Sequence, residues 1–189
     1  RRVLFRSNSD LGQKVLVCGQ GGKSTLARAL ADDLRLPYIE LDDIKHMAGW
    51  VERERDDFRA EIQRVFDENP DGWVIDGNYG TDLEGMVHKV AETVIFVNMP
   101  WRVMMWRTFW RSLDRIWNKR VLWNGNQETW REVFFSRDAF MLYLITHRMH
   151  FQGRRKDRIY KWSNGARLIE LDGRRALNRF YKERGLSRG

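Results

Sequence analysis

The chain has a single cysteine, Cys18, so it cannot close an internal disulfide. That fits a reducing compartment, and in its apolar run Cys18 reads as a small buried filler. Long hydrophobic runs are missing too. No uninterrupted apolar stretch approaches the roughly 18 residues of a membrane-spanning helix. The basic first ten residues, RRVLFRSNSD, have too short an apolar part for a secretion signal. The expectation is a cytoplasmic protein with no membrane partner, and residues 1–12 as an N-terminal arm. No internal repeat, low-complexity linker or recognised nucleic-acid module is visible. Acidic residues are scarce in one half only: residues 101–189 carry 21 Lys+Arg against 8 Asp+Glu, and residues 1–100 carry 13 against 18. A basic half of this kind suits nucleic acid, an anionic surface, or arginines gathered around a polyphosphate.

What is present is enough for one domain with a core: 189 residues, 42% hydrophobic, with 9 Trp and 10 Phe. Five short runs read as strands: KVLVC (14–18), YIEL (38–41), WVID (73–76), TVIFVN (93–98) and ARLIEL (166–171). Between them lie segments with helical periodicity. Leu26, Ala27, Leu30 and Leu34 recur in 23–34, Phe58, Ile62, Val65 and Phe66 in 56–68, and RRALNRFYKER (174–184) is a basic amphipathic helix. Alternating strands and helices predict an α/β fold, a parallel sheet covered on both faces. The last interval, 99–165, is long enough for additional helices and a loop near WNGNQ (123–127).

Within 101–120, Trp106, Trp110, Leu113 and Trp117 share one helical face, which predicts a packing surface. Arg107, Arg111 and Arg115 form the adjacent stripe. Like charges one turn apart repel by about 0.2–0.5 kcal/mol, so three in line suggest a counter-anion or a solvated face.

The segment VLVCGQGGKSTLARAL (15–30) joins a strand to a helix through glycines and ends its turn in Gly-Lys-Ser-Thr. Polyphosphate binding needs backbone amides converging at a helix N-terminus with room for oxygens to approach. Gly19, Gly21 and Gly22 supply the room, Lys23 would reach the β- and γ-phosphates, Ser24 would ligate Mg²⁺, and Thr25 would lie on the first helical turn. The usual spacing puts a glycine five residues before Gly22, where this chain has Val17. The loop is therefore about two residues short of the usual pattern.

Taken together, GKSTLARALA, LDDIKHMAGW, WVIDGNY, TVIFVNMPWRVMMWRTFWR and LWNGNQE resemble the small P-loop kinases related to adenylate kinase. The similarity is greatest to the bacterial group labelled DNA topology modulation or adenylate-kinase-like proteins, and it runs from about residue 14 to 182. That family shows a fuller loop, G-x-x-G-x-G-K-S/T, than Gly19-Gln20-Gly21-Gly22-Lys23-Ser24.

The resemblance implies a P-loop NTPase fold over residues 13–185, sheet order 2-3-1-4-5, with a helical lid insertion at about 101–163. It implies ATP with Mg²⁺ and a small-molecule phosphoryl acceptor, a nucleotide or a hydroxylated metabolite. Asp42 would be the base for the acceptor hydroxyl, with Asp43 as a helix cap. His46, Trp50, Arg55 and Asn78 would line the acceptor pocket, and packing or surface positions are the alternatives for the first three. Asp76 would approach Mg²⁺ at the sheet's C-terminal edge, unless it forms a turn. Arg107 and Arg111 would be lid arginines acting on the transferred phosphoryl group, with Arg115 and Arg120 as weaker candidates. Asp172 and Gly173 would offer backbone contacts to adenine. Two other readings stay open: a nucleotide-binding protein without turnover, and a basic nucleic-acid-binding or regulatory protein that uses RMHFQGRRKDR (148–158).

Overall fold

Strand β1 (Lys14–Gln20) is apolar on both faces because helices cover the sheet on both sides. The structure is a computed structural model that describes residues 8–131, 133, 154–163 and 165–187. With β2 (Tyr38–Glu40), β3 (Trp73–Asp76), β4 (Thr93–Asn98) and β5 (Arg167–Asp172), β1 builds one all-parallel sheet in the order β2-β3-β1-β4-β5. This is the predicted order, and each strand falls within two residues of its expected bounds.

Side-chain alternation along β1 sorts the core into two layers. Val15 and Val17 face α1 (Lys23–Leu34) and the last described helix, packing with Leu26, Leu30, Val74 and Phe180. Leu16 and Cys18 face the other way, onto Phe58, Ile62, Ile75 and Phe96. Between β2 and β3 lie α2 (Leu41–Lys45) and α3 (Arg55–Glu68), followed by α4 (Met86–Val90) ahead of β4. After β4 come α5 (Trp101–Trp117), a 3-10 turn at Trp123–Gly125, α6 (Arg154–Trp162), and, beyond β5, α7 (Gly173–Arg184).

Two expectations are corrected. Residues 8–11 form a 3-10 turn instead of an arm: Leu11 is 1% exposed in the core, and Thr93 Oγ1 donates to its carbonyl at 2.6 Å. Residues 1–7 lie outside the described part. On α5 the tryptophan stripe faces solvent, with Trp106, Trp110 and Trp117 at 64%, 51% and 82% exposure. The buried positions are Met104, Thr108 and Ser112, so the arginine side, not the apolar side, turns toward the sheet edge. Of the basic stretch 148–158, residues 148–153 lie outside the described residues.

His88 on α4 is 4% exposed, packs on Trp162, and has an Nδ1 with no hydrogen-bond partner. Burial pushes its pKa down to about 4 from 6.5. Its neutral form therefore stabilises the fold fully above pH 6.5. That contribution, up to about 3 kcal/mol, is lost as pH falls toward 4 and the unfolded chain takes up the proton. Urea unfolding across this range is expected to show a shallower acid limb for His88→Gln than for the native chain. At pH 7, Phe58→Ala is expected to cost about 3–5 kcal/mol. The same assay should find Trp117→Ala within about 0.5 kcal/mol of the native chain.

Candidate functional site

The site begins at a turn of two residues. Gly21 and Gly22 are all that separate the end of β1 at Gln20 from the start of α1 at Lys23. Sequence reasoning ended the strand at Cys18 or Gly19. It continues because Gly19 and Gln20 pair with Val97 and Asn98 of β4. Gly19 has φ 103°, and a Cβ there would lie 2.0 Å from the Val97 carbonyl oxygen, so only glycine fits. The first helical bond runs from Leu26 N to Gly22 O at 3.1 Å. The amides of Lys23, Ser24 and Thr25 therefore have no acceptor within the helix, and Gly22 supplies no side-chain cap.

Lys23 reaches back across the sheet edge. Its Nζ donates to Asp76 Oδ1 at 2.7 Å and lies 3.8 Å from Asp42 Oδ2. Asp76, the last residue of β3, is fully buried; its Oδ2 also faces the Tyr38 hydroxyl at 3.2 Å. Burial, with Asp76 and Glu40 alongside, pushes the pKa of Tyr38 well above the phenolic range, so it serves as a hydrogen-bond donor. On the other flank, Asn78 Oδ1 accepts from Gly19 N at 2.6 Å while its Nδ2 donates to Gly19 O at 2.8 Å. Asn78, expected in the acceptor pocket, thus clamps the backbone of the turn with both ends of its amide.

Asp42 sits in the first turn of α2. Its Oδ1 accepts a 2.6 Å bond from the Tyr79 hydroxyl, which is also 3.2 Å from His46 Nε2. Burial and Asp42 hold the Tyr79 pKa far above its ordinary value. His46 stacks on Trp123 with centroids 5.9 Å apart and meets the Trp50 edge at 5.8 Å. The structure therefore joins Asp42, His46 and Trp50. It leaves Arg55 apart, exposed and 4.0 Å from Asp82.

The segment WNGNQE had no assigned mechanism in the sequence, and here it has a mechanical one. Asn124 Nδ2 donates to Asp43 O and His46 O at 2.9 and 2.7 Å. Asn126, 4% exposed, donates to Met47 O at 2.9 Å and accepts from Trp50 N at 2.9 Å. Trp50 Nε1 donates to Gln127 O at 3.1 Å. These bonds latch the end of the α5 segment onto the loop after α2.

Helix α5 delivers three arginines along one side. Arg107 donates to Gly21 O at 3.2 Å. Arg115 pairs with Glu128 at 2.7 Å and lies over the Trp123 ring. Arg111, between them, keeps solvent contact, yet enough protein surrounds it for desolvation, with Arg115 beside it, to lower its pKa. Glu128, Asp42 and Glu40 pull the other way. No hydrogen bond or ion pair engages Arg111 among the described residues. An exposed guanidinium without a counter-ion among the described residues is available to an anion.

Asp172 and Gly173 lie on the same edge, in register with Gln20 through Asn98, whose Nδ2 donates to Asp172 Oδ1 at 2.8 Å. Nearby, a cavity of about 80 Å³ lies between Gly22, Thr25 and Arg107 on one side and Arg174, Leu177 and Asn178 on the other. Sequence reasoning missed Tyr38, Tyr79, Asn124, Asn126 and Glu128. Tyr79 and both asparagines stood in quoted segments, but their partners lie far away along the chain.

No protein-family model matches the chain, and no curated protein matches it.

Removing the Lys23 ammonium leaves the buried Asp76 carboxylate unpaired, a loss of about 3–5 kcal/mol. Chemical denaturation is expected to show this for Lys23→Met. Adding Asp76→Asn in the same chain should recover part of the loss, giving a non-additive double-mutant cycle.

Proposed function

We propose that the chain binds a nucleoside triphosphate with Mg²⁺ at the β1–α1 turn and transfers its terminal phosphoryl group to a hydroxyl of a small molecule. One observation carries this reading: at a turn where Gly19 admits no side chain, the free amides opening α1, the ammonium of Lys23 and the guanidinium groups of Arg107 and Arg111 converge. Phosphoryl transfer rests on positioning and on charge stabilisation around the phosphoryl oxygens, and these groups supply both. The quoted segments that resemble the small P-loop kinases support the same reading.

Ser24, on the first turn of α1, and Asp76 fit Mg²⁺. That ion keeps most of its waters and needs only one or two protein oxygens besides the phosphates. Each Asp76 oxygen takes one donor and retains acceptor capacity. When bound, Mg²⁺ would neutralise charge on the phosphate oxygens. Lys23 would exchange part of its contact with Asp76 for phosphate. Asp42, oriented by Tyr79, would take the acceptor's hydroxyl proton as its oxygen bonds to phosphorus and the bond to the leaving diphosphate breaks. The acceptor would be a nucleotide or a hydroxylated metabolite beside His46 and Trp50. The cavity between Thr25 and α7 would receive the base, at the edge that carries Asp172 and Gly173.

A second reading, nucleotide binding without transfer, draws on the two-residue turn, which offers fewer amides than a full phosphate loop. Labelled ATP with Mg²⁺ and a panel of hydroxylated acceptors separates the two. Asp42→Asn is expected to retain binding and lose transfer; full transfer by that variant rejects Asp42 as the base. Arg111→Ala should weaken binding by about tenfold or more. Binding without transfer to any acceptor favours the second reading, provided that transfer appears once two residues are restored to the turn. ATP-independent, salt-sensitive affinity for nucleic acid, with no ATP binding, overturns both.

A further inference from the structure

A second cavity, of about 60 Å³ and partly open to solvent, lies between Cys18 of β1, the residues after β3, and α6. It is on the opposite face of the sheet from Asp76. Cys18 and Ile75 belong to the α3/α4 layer, and strand alternation turns Asp76 away from it. The wall is built by close packing. A Cβ at Gly80 or Gly85 would lie 2.4 or 2.6 Å from the Trp162 ring, so both glycines are needed for that indole to seat. His88, 5.4 Å from Trp162 between ring centroids, lines the cavity and is 4% exposed. Its Nδ1 has no hydrogen-bond partner. Such an atom in a native fold points to a missing water, ion or ligand.

The lining defines the chemistry. Arg158 reaches the cavity and donates to Thr81 Oγ1 at 2.9 Å, with its guanidinium over Trp162. Among the described residues no carboxylate lines the space. A cation is disfavoured by Arg158, and among the described residues no group of three His, Cys, Asp or Glu side chains could hold a metal. The room exceeds the 10–15 Å³ or so that a single water requires. We propose that this cavity binds a small oxyanion, a phosphate or a carboxylate, held by Arg158, Thr81 and His88. The site is separate from the nucleotide reading and does not require it. Asn78 lines the cavity and clamps Gly19, so an occupant would bear on the turn from behind.

The test titrates the full chain with inorganic phosphate, and separately with acetate, to about 10 mM while the His88 ring is followed by NMR. Its signal is assigned by loss in His88→Gln. A saturable shift with either anion supports the site, and the anion that saturates first names its chemistry. The shift is expected to persist in Lys23→Ala, which removes the turn's ammonium. It should need at least about tenfold more anion in Arg158→Gln, with partial rescue by Arg158→Lys. If Arg158→Gln loses its dispersed spectrum, Thr81→Val serves in its place and is expected to weaken the response. No shift with either anion, meaning water only, overturns the proposal. So does a shift that disappears in Lys23→Ala and is unchanged in Arg158→Gln.

Discussion

A carboxylate shut away from water at the end of the third strand needs a positive partner, and among the described residues the first residue of α1 provides it at 2.7 Å. Ionic pairs of this kind contribute little net stability when intact and are costly to break from one side. Their value here lies in placement. The Lys23–Asp76 bond anchors the start of α1 as pairing with β4 carries β1 through Gln20, and together they leave two residues to turn between them. The free amides, the glycine that lies against β4, and the clamp from Asn78 all depend on that start point. The same bond holds the ammonium at the sheet edge, between Asp76 and Asp42, so any polyphosphate must compete with two carboxylates for it.

Helix α5 shows how a site can override the ordinary logic of amphipathicity. Its tryptophans face outward while Met104, Thr108 and Ser112 are buried. The arginines fall on the side that meets the turn and the α2 loop. A helix packing against an apolar layer turns its hydrophobic stripe inward. This one meets carboxylates, a carbonyl and a turn rich in backbone donors and acceptors, so its basic stripe is the complementary surface. The charge imbalance of the second half of the chain is, in part, spent on this row.

The strands and the helices were legible because each is a local pattern, whereas the sheet order came from the family resemblance. Apolar runs, a 3.6-residue period and a glycine turn before Lys23 require no knowledge of distant neighbours. The orientation of α5 was not legible from its own residues, because periodicity reveals a stripe and not which side the protein lies on. Asn78, Tyr79, Asn124 and Asn126 were misjudged or passed over for a related reason: their roles are hydrogen bonds to residues up to 81 positions away. Lys23 was named from its motif, and Asp42, Asp76, Arg107 and Arg111 from the family resemblance; the fold brings them to one edge. Arg55 was expected beside Trp50 in the acceptor pocket but sits on the first turn of α3, 4.0 Å from Asp82.

The latch between the α5 segment and the α2 loop hangs on an asparagine followed by glycine. In an Asn-Gly pair the unhindered glycine amide can attack the side-chain carbonyl and expel ammonia, and hydrolysis of the resulting ring leaves an acid. At Asn124 the amide nitrogen is committed to two carbonyls and the backbone is held left-handed at φ 53°, which restrains that attack while the fold is closed. Each opening of the segment lifts the restraint. Conversion to an acid would then set a negative oxygen against the carbonyls of Asp43 and His46, leaving the bonds of Asn126 and Trp50 to hold the segment.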